Sequence, residues 1–317
     1  MREEYLKGWN IIWWLFRLFG LPITIPWLLY HAFDIMQQKR KKVELNGKVV
    51  MITGASSGLG EALAHIFYAC GCKVILVARR KEELDRVKSE LLKTHHTVPT
   101  YSPVVVTLDL SDINSLEKKV ADIIENHDKI DILINNAGIS YRGEVVTTSI
   151  DVDMKIMLIN YFAQIALTKA VLPCMIRQQS GHLIYISSVQ GKIAIPYRSA
   201  YSASKHALQA WCDSSRAELA GENIKITVIS PGYIKTALSL NAITASGQAY
   251  GVMDKTTEQG YLPKYVAEHI LKAILRNEKD VIISPLTPKY AILLRTLWPS
   301  LYFWIMQKRA KNIEKQD

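Results

Sequence analysis

The chain has 317 residues, 49 % of them hydrophobic, with a formal net charge of +10 and four cysteines. That much apolar surface excludes a disordered chain, and four thiols without ligand spacing exclude a disulfide scaffold or a structural metal site. Residues 1–42 hold seven Lys/Arg against three Asp/Glu and residues 285–317 six against two, while 43–284 hold 26 against 24, so the basicity sits at the ends and no nucleic-acid groove is expected.

In chain order, the first element is an apolar stretch from Trp9 to Tyr30. As a helix it would be about 33 Å long, close to a bilayer core. Arg17, Pro22 and Pro26 leave two forms open, a single span or a bent interfacial insertion with Arg17 snorkelling outward. A terminal helix packed on the core and a cleaved leader are the other readings. Six of the seven tryptophans lie in the two ends of the chain, as is common where protein meets a membrane–water interface. Lys39-Arg40-Lys41-Lys42 follows the stretch, and the positive-inside tendency then puts the next domain on the cytosolic side.

From residue 48 onward, apolar runs alternate with amphipathic ones. Strands are expected at 48–53, 73–78, 104–109, 131–135, 182–187, 224–230 and 280–284. Helices are expected at 58–70, 81–93, 115–126, 152–178 and 201–220. Near-continuously apolar strands separated by helices predict an α/β fold, a Rossmann-type doubly wound parallel sheet of about seven strands with helices on both faces. The expected organisation is an N-terminal membrane segment and basic flank at 1–42, a main α/β domain at 43–286, and an aromatic, basic C-terminal segment at 287–317. In the last of these, residues 288–306 are rich in apolar and aromatic side chains, but Arg295 and Pro299 make them a poor span. They read as a membrane-touching flap or a packing arm.

The first strand runs directly into Thr53-Gly54-Ala55-Ser56-Ser57-Gly58-Leu59-Gly60. A glycine-rich turn between strand and helix lets backbone N–H groups approach a pyrophosphate, and the helix N-terminus adds partial positive charge. The second strand ends in Ala78-Arg79-Arg80, with no acid to take a ribose 2′-hydroxyl. Arginine there suits a 2′-phosphate, so NADP(H) is favoured over NAD(H). The other reading is that both arginines only solvate a helix start.

Tyr201 and Lys205 stand four apart on the face of one helix, and Ser188 lies thirteen residues earlier, just past the fifth strand. Asn135-Asn136-Ala137-Gly138 ends the fourth strand at the same sheet edge. With these motifs, Asn160 and the segment Pro231-Gly232-Tyr233-Ile234-Lys235-Thr236, the chain resembles the short-chain dehydrogenases/reductases over roughly residues 46–284. Residues 135–143, 199–207, 228–236, 241–247 and 250–254 resemble a membrane-anchored branch of that family. The resemblance implies a tetrad. Tyr201 is the proton donor, Ser188 bonds the reacting oxygen, Lys205 holds the nicotinamide ribose and lowers the phenol pKa, and Asn160 holds a relay water. It also implies that Ile234 and Thr236 touch the nicotinamide amide and that Asp109 and Asn136 border the adenine. It places a substrate lid at 237–262, and it implies a homodimer or homotetramer built through the helices at 152–178 and 201–220. The function expected is reduction of a lipophilic ketone or aldehyde at a membrane, with the endoplasmic reticulum as the site. Alcohol oxidation by the same residues, or a cofactor-binding scaffold, are the alternatives.

Overall fold

The computed structural model describes residues 21–94 and 98–314. They fall into two compact units, one ending at Glu44 and one beginning at Leu45. In the first, α1 (Leu21–Val43) continues through Pro26 and the basic run to its last turn. Trp27, Leu28, Leu29 and Tyr30 on it are exposed. Residues 9–20 of the apolar stretch lie outside the described residues.

The second unit runs β1 (Val49–Thr53), α2 (Gly58–Ala69), β2 (Lys73–Ala78), α3 (Lys81–Lys93), β3 (Val104–Thr107), α4 (Ile113–His127), β4 (Ile132–Asn135) and β5 (Tyr141–Arg142). It continues with α5 (Ile150–Met157), α6 (Ala163–Arg177), β6 (Gly181–Ile186), α7 (Ser199–Glu218), β7 (Ile224–Pro231), β8 (Ile243–Thr244) and α8 (Lys255–Glu258). It ends with α9 (Pro263–Arg276), β9 (Asp280–Ile283), α10 (Leu286–Leu297) and α11 (Pro299–Glu314). The third strand stops two residues before the expected Asp109. The expected long helix is broken by a π turn at Leu158–Phe162, where one extra residue is accommodated between α5 and α6.

Seven strands form one sheet in the order β3-β2-β1-β4-β6-β7-β9, with every pairing parallel. Side chains alternate across it, as a strand period of two requires. Val50 and Ile52 of β1 pack with Leu63, Phe67, Val266 and Ile270 from α2 and α9. Val49 and Met51 pack on the other face with Leu116, Val120, Leu167 and Leu208 from α4, α6 and α7. The expected doubly wound sheet is therefore present, with a core on each face. The stretch Ile150–Arg177 is long and apolar enough to cross a membrane, but 44 % of its most apolar window is buried inside the protein. Ala163, Leu167, Val171 and Met175 are among the residues of this stretch that belong to the core.

All four cysteines are buried and none forms a disulfide, and Cys72 Sγ donates to the Leu45 carbonyl at 3.3 Å.

One charge is held at the base of the sheet. Asp131 accepts from the Val49 N–H at 2.8 Å, from Lys48 Nζ at 2.9 Å and from Lys129 Nζ at 3.1 Å. Burial pushes its carboxyl pKa up, but these three bonds outweigh burial and hold it below the usual range. A depressed carboxylate stabilises the fold above its unfolded pKa, and that contribution is lost as pH falls through the folded value. Asp131→Ala is expected to lower stability by about 1.5–3 kcal/mol at neutral pH, read from urea unfolding. The deficit should shrink below pH ~4.

Candidate active site

β1 lies between β2 and β4, so the winding reverses direction there and a crevice opens at the carboxyl ends of the strands. A cavity of about 750 Å³ occupies it. Thr53 fixes its floor. Its Oγ1 donates to the Ile134 carbonyl at 3.3 Å and accepts from the N–H groups of Asn136 and Ala137, each at 3.0 Å. Asn136 Nδ2 returns a bond to the Thr53 carbonyl at 2.8 Å. The ends of β1 and β4 are thus laced together beneath the glycine turn.

The turn needs its glycines for separate reasons. Gly54 and Gly58 sit at φ +67° and +61°, in the left-handed region. A Cβ on Gly60 would lie 2.2 Å from the Gly54 carbonyl oxygen. Gly60 therefore backs the turn from behind, whereas Gly54, Ser56, Ser57, Gly58 and Leu59 line the cavity. The Ser57 side chain makes no capping bond at the start of α2, so the first N–H groups of that helix have no side-chain acceptor there. Arg79 and Arg80 line the same end. Arg80 Nη2 donates to Ser56 Oγ at 3.3 Å and to Ser57 Oγ at 3.4 Å. Asp109 closes it, accepting from the Ser111 N–H at 2.9 Å and Oγ at 2.8 Å. The Ser111 bonds, with the charge of Arg79, hold its pKa low. An uncapped helix start with hydroxyls and two guanidiniums is the donor set that a phosphorylated nucleotide needs, so the residues fit such a cofactor.

The other predicted residues gather at the opposite end. Ser188 Oγ accepts from the Gln190 N–H at 3.1 Å, and its hydroxyl acts on the Tyr201 phenol, favouring the ionised form. Lys205 Nζ donates to the Ile186 carbonyl at 2.9 Å and lies 5.9 Å from the centre of the Tyr201 ring. Ser188, Tyr201, Lys205, Ile234 and Thr236 all line the cavity. Asn160 does not, and it is fully buried in the π turn. Its Oδ1 accepts from the Ile139 N–H at 2.8 Å, and its Nδ2 donates to the Ile139 carbonyl at 2.9 Å and to Ser204 Oγ at 3.1 Å. Gly138 passes between the two groups. A Cβ there would sit 3.0 Å from Asn160 Oδ1 and 3.7 Å from Lys205 Nζ.

Burial dominates the titration of this end. It brings the Lys205 ammonium down to about 8. It pushes the Tyr201 phenol above its ordinary value, and the Ser188 hydroxyl and the charges of Arg142 and Arg198 partly oppose it. The expected lowering by Lys205 is not among these influences. The cation closest in effect is Arg142, a residue that the sequence pattern did not single out.

Arg142 belongs to a buried cluster that local periodicity does not reveal. Its Nε lies 3.0 Å from Asp254 Oδ2, its Nη2 bonds the same oxygen, and its ring-facing side stacks 5.8 Å from the centre of Tyr250. Arg198 Nη2 is 3.6 Å from that carboxylate. Burial, with the like charge of Arg142, lowers the Arg198 pKa to about 10. Asp254 sits in the 237–262 segment, whose small residues suggested a mobile lid. The structure instead ties that segment down, through this cluster and through the parallel pairing Tyr141↔Ile243 and Arg142↔Thr244. Sequence reasoning also missed that Pro288, Ala291 and Met306 of the C-terminal helices help line the cavity. The aromatic density of 288–306 was the one available signal.

The pattern described as "short chain dehydrogenase" matches residues 48–246. The chain belongs to the short-chain dehydrogenase family. Within that family it is 58 % identical to "Dehydrogenase/reductase SDR family protein 7-like" of Anopheles gambiae over 304 residues, 96 % of each chain. It is 49 % identical to "Dehydrogenase/reductase SDR family member 7B" of Danio rerio over 279 residues, covering 88 % of this chain and 90 % of that one. Short-chain dehydrogenases of known structure share the fold. A metagenomic oxidoreductase in complex with NADP is 26 % identical with a TM-score of 0.61, covering 76 % of this chain and 98 % of that one. A Burkholderia phymatum enzyme in complex with NAD is 20 % identical with a TM-score of 0.69, covering 80 % and 94 %. The protein is therefore an oxidoreductase of this family, similar over most of its length to relatives named 7-like and member 7B.

Proposed function

We propose that the protein is a membrane-associated, NADPH-dependent reductase of a lipophilic ketone or aldehyde. The observation that carries the cofactor choice is the pair Arg79 and Arg80 at the cavity wall, with no acid at the end of β2. When bound, NADPH supplies the hydride that reaches the carbonyl carbon. Gly54, Ser56, Ser57, Gly58 and Leu59 hold the pyrophosphate against the start of α2, and Arg79 and Arg80 hold the 2′-phosphate. Asp109 and Asn136 border the adenine side. Ile234 and Thr236 meet the nicotinamide, and Lys205 holds its ribose. Ser188 donates to the carbonyl oxygen as negative charge develops there. Tyr201 gives that oxygen its proton, and the product is the alcohol. A phenol whose pKa is raised by burial is fully protonated at neutral pH and suited to act as the acid. Asn160 acts at one remove, because it positions Ile139 and Ser204 and with them the water path that returns a proton through Lys205.

Membrane association is supported by the exposed aromatic and aliphatic side chains of α1 and by the basic run that ends it. We place the catalytic unit on the cytosolic face, with the endoplasmic reticulum as the membrane and a homodimer or homotetramer as the assembly. Protease treatment of sealed microsomes checks the side, since a protected catalytic unit contradicts it.

The deciding assay is NADPH oxidation by the full chain in detergent against steroid, retinoid and glycerolipid carbonyls, with NADH for comparison. Arg79→Asp combined with Arg80→Ala is expected to lower NADPH preference by about ten- to hundred-fold, the worth of one or two charge-assisted bonds. An unchanged preference would remove the arginines from cofactor choice. Turnover confined to small soluble carbonyls would refute the lipophilic substrate.

A further inference from the structure

The two C-terminal helices carry an apolar surface that the fold does not use. Leu286, Tyr290, Leu293 and Leu297 recur at helical spacing on one face of α10, and each is more than half exposed, at 64 %, 64 %, 53 % and 72 %. Trp304, 50 % exposed, stands on α11. Trp298, 64 % exposed, marks the connection between the helices. So many exposed large apolar side chains on two successive helices of a folded protein mark a place of contact.

Other faces of the same helices are committed inward. Pro288 and Ala291 of α10 and Met306 of α11 line the cavity that holds Ser188 and Tyr201. Tyr302 is buried, and its Oη donates to the Ala194 carbonyl, which ties α11 to the loop that leads into α7. One pair of helices is thus both a wall of the reaction chamber and an exposed apolar surface.

Charge identifies what covers that surface. Residues 286–314 hold five Lys/Arg and a single acid, Glu314. Lys308 Nζ lies 3.7 Å from the centre of the Trp304 ring, and the Arg295 guanidinium lies 5.1 Å from that of Phe303. A second copy of the chain would bring another excess of positive charge to the contact. An anionic lipid leaflet brings the opposite charge, and aromatic rings paired with basic side chains suit its headgroup boundary.

We infer that the α10–α11 hairpin docks on an anionic lipid bilayer and is the wall through which a lipophilic substrate passes from the membrane into the catalytic cavity. The passage rests on the reductase reading, but the docking does not. The test uses the full chain with a fluorophore that reports polarity, attached at Leu297→Cys or, as a control, at the exposed Ser89→Cys on α3. The four native cysteines are buried. Vesicles of phosphatidylcholine with phosphatidylserine should shift the Leu297→Cys probe to the blue and expose it to quenching by brominated acyl chains, with the control unaffected. Equal behaviour of the two probes overturns the docking. Shielding of the Leu297→Cys probe without lipid, with crosslinks between chains, overturns it in favour of a self-interface.

The second arm replaces Leu293, Leu297 and Trp304 by Glu, none of which lines the cavity. KM for a long-chain ketone presented in vesicles should rise by about ten-fold or more, while kcat/KM for a short soluble ketone stays unchanged. An unchanged KM in vesicles overturns the passage. Wild-type protein that reduces neither ketone overturns the reductase reading and the passage with it, and the probe still decides the docking.

Discussion

Tyr201→Phe protein is expected to lose about 10²–10⁴-fold in kcat for carbonyl reduction while NADPH still binds. In the proposed mechanism the phenol is the proton source at the reacting oxygen, and it is buried at the cavity wall. The substitution keeps the ring and its packing, so the fold should survive. The proposed phosphate site lies at the other end of the cavity, at Ser56, Ser57, Arg79 and Arg80, and should be untouched. NADPH fluorescence on binding and absorbance loss during turnover separate the two effects. Activity above a tenth of wild type would mean that another group delivers the proton.

Gly60→Ala should break the cofactor turn. The new Cβ would meet the Gly54 carbonyl oxygen at 2.2 Å and Asn136 Nδ2 at 2.7 Å. The first of these is main chain and cannot swing aside. Either α2 shifts outward or the turn unwinds, and overpacking of this kind costs about 1–3 kcal/mol. The same displacement moves the N–H groups that face the pyrophosphate, so NADPH affinity should fall about ten-fold or more along with the melting temperature. Gly221→Ala is the matched control, because a Cβ there has no neighbour within 4 Å. A Gly60→Ala protein that binds NADPH like wild type would show that the turn is not what holds the cofactor.

The sheet was legible in the sequence because each strand is apolar on both faces and each crossover helix is amphipathic, a pattern that only a covered parallel sheet satisfies. The turn at 53–60 and the group Ser188, Tyr201 and Lys205 were legible because their chemistry is compact in the chain. Asn160 was legible as a residue but not as a geometry. The π turn that buries it leaves no mark in an otherwise regular helical period. Arg142 and Asp254 stand 112 residues apart and meet only when β5 pairs with β8. No local periodicity encodes such a meeting. The same is true of Met306, which reaches the cavity from a helix that reads locally as surface.

The cluster at Asp254 has a consequence for traffic through the protein. Lifting the 237–262 segment would separate one carboxylate from two largely buried guanidiniums, and breaking a pair in such surroundings costs up to about 3–5 kcal/mol. On that scale the lifted form is present in roughly one molecule in a thousand. A ligand that waited for it would find the door almost always shut, which favours the inferred way in and out along the side of the chamber that the C-terminal helices form.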